Sequence, residues 1–194
     1  MGKKILVIQG HPESGRTHLC HVLAQAYARG AAQAGHEVRT VSVADLGFPV
    51  LRSKDEWEHA PLPDALVGAQ QAIAWADHLA LFFPLWLGGM PALLKAFLEQ
   101  VARPGFAVAP SRGIGWKRLL TGRSARLVVT MGMPAPIYRW YFRAHSIKAL
   151  ERNILGFVGI APIRETLIGS VESLGAAGSA RWIDKLDALG RRAA

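Results

Sequence analysis

The sequence predicts a doubly wound α/β domain, a five-stranded parallel sheet with helices on both faces. Three observations point there. Apolar runs of strand length alternate with helical periods five times along the chain. The runs at 5–8 and 79–83 are continuously apolar, as strands buried on both faces are. Polar or glycine-containing loops follow those runs, at 10–17 and 84–90.

The elements follow in order. Lys3 and Lys4 precede the first strand at 5–8, and the loop Gly10-His11-Pro12-Glu13-Ser14-Gly15-Arg16-Thr17 leads into a helix over about 18–34 that Gly35 ends. Residues 37–43 alternate as a second strand, and 45–63 read as irregular and polar, with Pro49, Pro61 and Pro63. A helix over 64–75 enters the third strand at 79–83, which Pro84 stops because it has no N–H for a ladder. Gly88 and Gly89 follow in a loop that carries Trp86, and Pro91 stands where a helix can begin. Leu93, Leu94, Phe97, Leu98 and Val101 then recur at helical spacing. Residues 103–122 are rich in glycine and proline without a period. A fourth strand at 125–131, a loop at 133–136, a helix over 138–155, a fifth strand at 163–168 and a helix over 179–192 close the chain.

At 194 residues this reads as one domain over 1–194, large enough to bury roughly 70% of its unfolded surface. No repeat, linker or low-complexity tract divides it. Lys and Arg outnumber Asp and Glu by 23 to 14, a formal charge of +9 that suits anionic partners or simply solubility. The single cysteine, Cys20, excludes an intrachain disulfide and reads as a small buried hydrophobe. The apolar run at the start is too short for a signal peptide, and the region at 79–94 is broken by Pro84, Gly88, Gly89 and Pro91. The expectation is a soluble, cytoplasmic protein.

For five strands the expected order is the flavodoxin-like 2-1-3-4-5, with its switch point between strands one and three. The loops 9–17, 84–90 and 131–137 then converge beyond the carboxyl ends of the strands. The first nearly fits the phosphate-binding pattern G-x-x-x-x-G-K-[ST], with Arg16 in place of lysine. Arginine is a poor mimic of that compact charge, and no metal-binding Asp ends another apolar strand. A looser reading has the helix start and His11, Arg16, Thr17 and His18 hold one phosphate. The plainer reading is a capped turn, with Ser14 or Thr17 as N-cap and Gly15 at positive φ.

Together the loops resemble the flavodoxin-like NAD(P)H dehydrogenase (quinone) family, which includes DT-diaphorase, the modulator-of-drug-activity quinone reductases and the ancillary reductases of potassium-efflux systems. The resemblance rests on Gly10-His11-Pro12, Gly35-His36-Glu37-Val38, Asp45-Leu46, Phe83-Pro84-Leu85-Trp86, Pro91-Ala92-Leu93-Leu94-Lys95, Gly105-Phe106-Ala107 and Thr130-Met131-Gly132, over roughly residues 3–170. It implies a flavin, FMN or FAD, reduced by NAD(P)H as co-substrate and reoxidised by a quinone-class acceptor. His11, Arg16, Thr17 and His18 would hold its phosphate. The backbone of Pro84, Leu85, Trp86 and Leu87 would line the ring, and Thr130, Met131 and Gly132 would hold its pyrimidine side. Tyr138 falls on a family tyrosine that helps relay a proton. The partner histidine position falls on Ala144, with His145 beside it and turned by about 100°. Leu87 and Val108 stand where relatives often carry aromatics.

The family also implies a homodimer, with the aromatic and basic stretch at 138–148 as part of the contact. That stretch could serve a membrane surface or a nucleic acid, but one helix is no stacking platform and no nucleic-acid-binding module appears. His18 and His21 share a helix face without a third ligand, so no metal is expected. Two other readings remain: an ancillary subunit docking on a membrane transporter of potassium-efflux type, and a flavodoxin-type electron carrier. The positive charge argues against the carrier.

Overall fold

The computed structural model describes residues 2–111 and 115–194. In chain order they form β1 (Lys4–Gln9), α1 (Leu19–Gln33), β2 (Glu37–Ser42), α2 (Lys54–His59), α3 (Asp64–Trp75), β3 (His78–Pro84) and α4 (Ala92–Val101). There follow β4 (Val108–Pro110), β5 (Trp116–Arg118), β6 (Ser124–Thr130), α5 (Ala135–Trp140), α6 (His145–Ala149), α7 (Gly156–Val158), β7 (Ile163–Ile168) and α8 (Gly175–Arg191). A π-helical turn, Leu150–Leu155, joins α6 to α7.

The main sheet has the order β2-β1-β3-β6-β7, all pairs parallel. With β6 and β7 as the fourth and fifth long strands, this is the expected 2-1-3-4-5. The strands are apolar on both sides because each side is covered. Ile5, Val7, Ala80, Phe82 and Val128 pack under α1 and α8, while Leu6, Ile8, Leu81, Phe83, Leu127 and Val129 pack on the opposite face with Ile73, Leu94 and Phe97. The first layer is thin where the two helices meet. A Cβ on Gly30 would fall 2.1 Å from the Asp187 carbonyl oxygen, and one on Gly190 would fall 2.1 Å from that of Tyr27.

The helix over 64–75 and the strand at 163–168 have the expected bounds. Three expectations are corrected. The stretch 45–63 is not all irregular: Ser53 accepts from the Glu56 N–H at 3.1 Å, and Glu56 reaches back to the Arg52 N–H at 2.8 Å, a reciprocal cap that starts α2. The stretch 103–122 holds a short antiparallel pair, β4 with β5; its residues 112–114 lie outside the described residues.

The single helix over 138–155 is broken. α5 ends at Trp140, and Arg143 and Ala144 adopt φ of 53° and 48° before α6 begins at His145. Tyr138 and Ala144 are both buried, yet six residues apart they would face different sides of one continuous helix. The break lets both point inward and leaves Trp140, Tyr141 and Phe142 outside. Tyr138 and His145 therefore sit on different helices.

Candidate functional site

At the carboxyl ends of β1, β3 and β6, where the direction of winding changes, a cavity of about 390 Å³ opens. His11, Glu13 and His18 come from the first loop, Pro84, Leu85 and Trp86 from the third-strand loop, and Thr130, Met131 and Gly132 from the end of β6. The expected three-loop convergence is therefore present. Hydrogen bonds tie the loops together. The Gly10 N–H donates to the Phe82 carbonyl at 2.7 Å, and the Leu85 N–H to the Thr130 carbonyl at 2.7 Å. Gly10 can make that approach because a Cβ there would meet Leu94 Cδ2 at 2.7 Å.

The third-strand loop is a tight hairpin. The Trp86 N–H donates to the Gly89 carbonyl at 2.8 Å, and the Gly89 N–H to the Trp86 carbonyl at 2.9 Å. Leu87 and Gly88 between them have φ of 47° and 79°, the positive pair of a type I′ turn. This geometry aims Trp86 at the first loop, where its ring meets His11 edge-on at 6.0 Å. It also throws Leu87 to the tip, fully exposed and outside the cavity lining, contrary to the role expected for it.

The first loop gathers three imidazoles. His11 stacks on His18 at 4.1 Å between centroids, and His21 lies 4.9 Å from His11. The Glu13 N–H donates to His11 Nδ1 at 3.1 Å, and the His18 N–H to His21 Nδ1 at 3.0 Å. Nδ1 of His11 also lies 3.2 Å from the Glu13 carbonyl oxygen, so both backbone groups of Glu13 hold that ring in place. Burial, then the neighbouring His18, holds both imidazoles below the ordinary histidine value. His18 is itself the N-cap of α1, so neither Ser14 nor Thr17 caps the helix, and Gly15 is not among the glycines at positive φ. Its Nε2 lies 2.6 Å from Glu13 Oε2, and that hydrogen bond pulls the Glu13 carboxyl below the usual carboxylate range.

The remaining expected residues lie elsewhere. Arg16 and Thr17 are exposed on the first loop and do not line the cavity, nor do Tyr138 and His145. His145 is exposed at the start of α6. Tyr138 is 2% exposed, with a buried hydroxyl that makes no hydrogen bond. Its polar neighbours are Ser146 and the backbone of Ile147. Ser146 in turn reaches the hairpin, with its Oγ 3.4 Å from where a Gly89 Cβ would stand.

Some lining residues escaped the sequence reading. Cys20 is the small buried residue expected, and it also borders the cavity, with its thiol pushed up to about 12 by burial. Val171 and Glu172 enter from the turn after β7. The strand signal at 163–168 was legible, but nothing in the residues after it marked a return to the site. Among the backbone donors, Leu85, Trp86 and Met131 N–H are already bonded, whereas the Gly132 N–H has no protein partner among the described residues.

A family model described as a flavodoxin-like fold matches residues 3–188. The chain belongs to that family. This flavodoxin-like chain is 26% identical over 172 residues to an uncharacterized NAD(P)H oxidoreductase of Haemophilus influenzae, covering 86% of this chain and 83% of that one. It is 28% identical over 184 residues to an FMN-dependent NADH:quinone oxidoreductase of Nitratidesulfovibrio vulgaris, covering 84% and 85%. Its fold superposes on an NAD(P)H:quinone oxidoreductase from Methanothermobacter marburgensis with a TM-score of 0.82 at 20% identity, over 99% and 97% of the two chains. Among the described residues no helix is long and apolar enough to cross a membrane.

Proposed function

We propose that this flavodoxin-like chain is an FMN-dependent oxidoreductase that takes hydride from NAD(P)H and delivers it to a quinone-class acceptor. The observation that carries the reading is the cavity itself: imidazoles at the start of a helix on one side, an apolar wall of Pro84, Leu85 and Trp86 on the other. A bound flavin would supply the hydride chemistry.

The residues fit such a group. The Glu13 carboxylate on His18 is an anionic oxygen already seated where the flavin phosphate is proposed to lie. The first N–H groups of α1 have no intrahelical partners and favour negative charge there. The His18 and His11 side chains would add two charge-assisted donors to the phosphate. Pro84, Leu85 and Trp86 would bind the ring by apolar contact and exclude water from one face. The free Gly132 N–H would orient its pyrimidine side. That the N. vulgaris relative is FMN-dependent supports FMN over FAD.

In this reading Tyr138 is a positioning residue: buried against Ser146, it would hold the start of α6 beside the Trp86 hairpin. His145 opens α6 next to Ser146, exposed, and an incoming substrate or second subunit would have to bring it to the reacting atoms. A homodimer is part of the proposal. Trp140 and Tyr141, 76% and 80% exposed next to Phe142, are an aromatic surface of the kind interfaces use.

The direct test is steady-state oxidation of NADH and NADPH by the FMN-loaded protein, with and without a soluble benzoquinone. Acceptor-dependent oxidation, with parallel lines in double-reciprocal plots, is expected. FMN-loaded protein that oxidises neither nucleotide would overturn the proposal.

A further inference from the structure

We propose that Glu172 sets the reduction potential of the bound FMN. Its carboxylate stands beside the end of β6 assigned to the pyrimidine side of the ring, where it disfavours the reduced cofactor and so makes it a stronger hydride donor to the acceptor. The inference rests on the FMN reading above and adds to it a residue that the resemblance does not name.

The turn after β7 holds this side chain in place. It packs closely on the loop after β6: a Cβ on Gly169 would fall 2.2 Å from the Ala135 nitrogen and 2.7 Å from the Met133 carbonyl oxygen. The Ser170 N–H donates to the Met133 carbonyl at 3.1 Å, and the Val171 N–H to the Met131 carbonyl at 3.2 Å. Ser170 has a φ of 53°, and the Ser173 N–H and hydroxyl each donate to its carbonyl at 3.0 Å, closing a 3-10 turn over Val171–Ser173. Glu172, in the middle of that turn, lines the cavity, with its Oε1 3.4 Å from where a Gly132 Cβ would stand.

Two observations give the carboxylate this role. Unlike Glu13, it makes no ion pair among the described residues. Among those residues, no Lys or Arg lines the cavity to offset it. The ring of an oxidised flavin is neutral, whereas near neutral pH the two-electron reduced ring carries a negative charge on its pyrimidine half. Charge placed there is one of the means by which a protein tunes a flavin. An unpaired carboxylate at that place raises the reduced state more than the oxidised one, and more strongly in a cavity than in bulk water. The lower potential takes driving force from hydride uptake and adds it to hydride delivery.

The test compares the FMN-loaded wild type with Glu172→Gln, which keeps the shape and removes the charge, and with Glu172→Lys, which reverses it. Bound FMN is reduced slowly at neutral pH by xanthine and xanthine oxidase beside a reference dye, and both spectra are read at equilibrium. In Glu172→Gln the two-electron reduction constant is expected to rise roughly two- to fivefold, the size an exposed charge allows, a shift of about 10–20 mV. Glu172→Lys is expected to rise further in the same direction, and both shifts to shrink at high salt. Affinity for oxidised FMN, read by fluorescence quenching, is expected to stay within about twofold of the wild type. A wild type that binds no FMN would end the flavin reading and this inference with it. FMN bound by all three proteins at one common potential, or a potential that falls in Glu172→Gln, would overturn this inference alone.

Discussion

The carboxylate of Glu13 lies 2.6 Å from Nε2 of His18, within the mouth of the loop cavity. The contact is made by two residues of one loop, five apart, and it satisfies the imidazole that caps α1. In the proposed holoprotein a flavin phosphate takes the same place. Glu13 then competes with the cofactor, as a carboxylate facing a phosphate on one imidazole.

Replacing Glu13 removes that competitor. Glu13→Gln is expected to bind FMN roughly two- to fivefold more tightly, the small effect typical of an exposed charge. Quenching of FMN fluorescence on titration reads it directly. Weaker binding by the variant would mean that Glu13 helps to hold the cofactor rather than standing in for it.

Acid should weaken the fold through His78. Burial, then the surrounding Lys3, Arg126 and Arg164, lowers its pKa from 6.5 to about 4. As pH falls the unfolded chain takes up this proton first. The stability tied to neutral His78 is therefore full above pH 6.5 and is lost between 6.5 and about 4. Two and a half pKa units correspond to about 3 kcal/mol. His11 and His21, held low in the same direction, add to the loss. In urea melts across that range, His78→Gln is expected to show a visibly shallower fall than the wild type. Equal slopes would contradict the assignment.

The contact between α1 and α8 depends on two missing side chains. Gly30→Ala and Gly190→Ala each place a methyl 2.1 Å from a backbone oxygen of the other helix, and backbone cannot swing aside as a side-chain tip does. Each is expected to cost about 2 kcal/mol or more, as overpacking does, against the small gain alanine normally brings to a helix. Thermal melts of both variants decide it, and a raised Tm in either would refute the close packing.

Leu87 carries strain without packing. Its φ of 47° is the left-handed region, and its side chain is fully exposed. Leu87→Gly is expected to stabilise the chain by about 0.5–1 kcal/mol, the relieved strain less the cost of the freedom that glycine adds to the unfolded chain. If the variant melts lower, Leu87 makes a contact in the assembled protein that the isolated chain does not have.

Much of the molecule was legible because its signals are local. The apolar runs gave the strands, their alternation with helical periods gave a parallel sheet, and Pro84 and Pro91 bracketed the loop that carries Trp86. The convergence of three loops followed from the order of the strands. What stayed hidden depended on contacts between distant residues. Glu172 returns to the cavity after β7 with no pattern of its own. His78 opens a strand as an ordinary polar residue, and only the sheet register brings it against Ser124, Arg126 and Arg164. The break between Tyr138 and Ala144 had a local trace, two apolar positions six apart, but the aromatic run at 140–142 masked it as a continuous helix. The cap at Ser53 and Glu56 was an overlooked local signal of the kind that starts a helix.

The measurement that bears most directly on the account is the absorption spectrum of the purified protein after incubation with FMN and removal of the excess. Flavin bands that stay with the wild type, and are lost or much reduced in His11→Ala/His18→Ala and in Trp86→Ala, are the expected result. A wild-type protein that retains no flavin would contradict the central claim, and bands retained equally by all three proteins would contradict the site assigned to it.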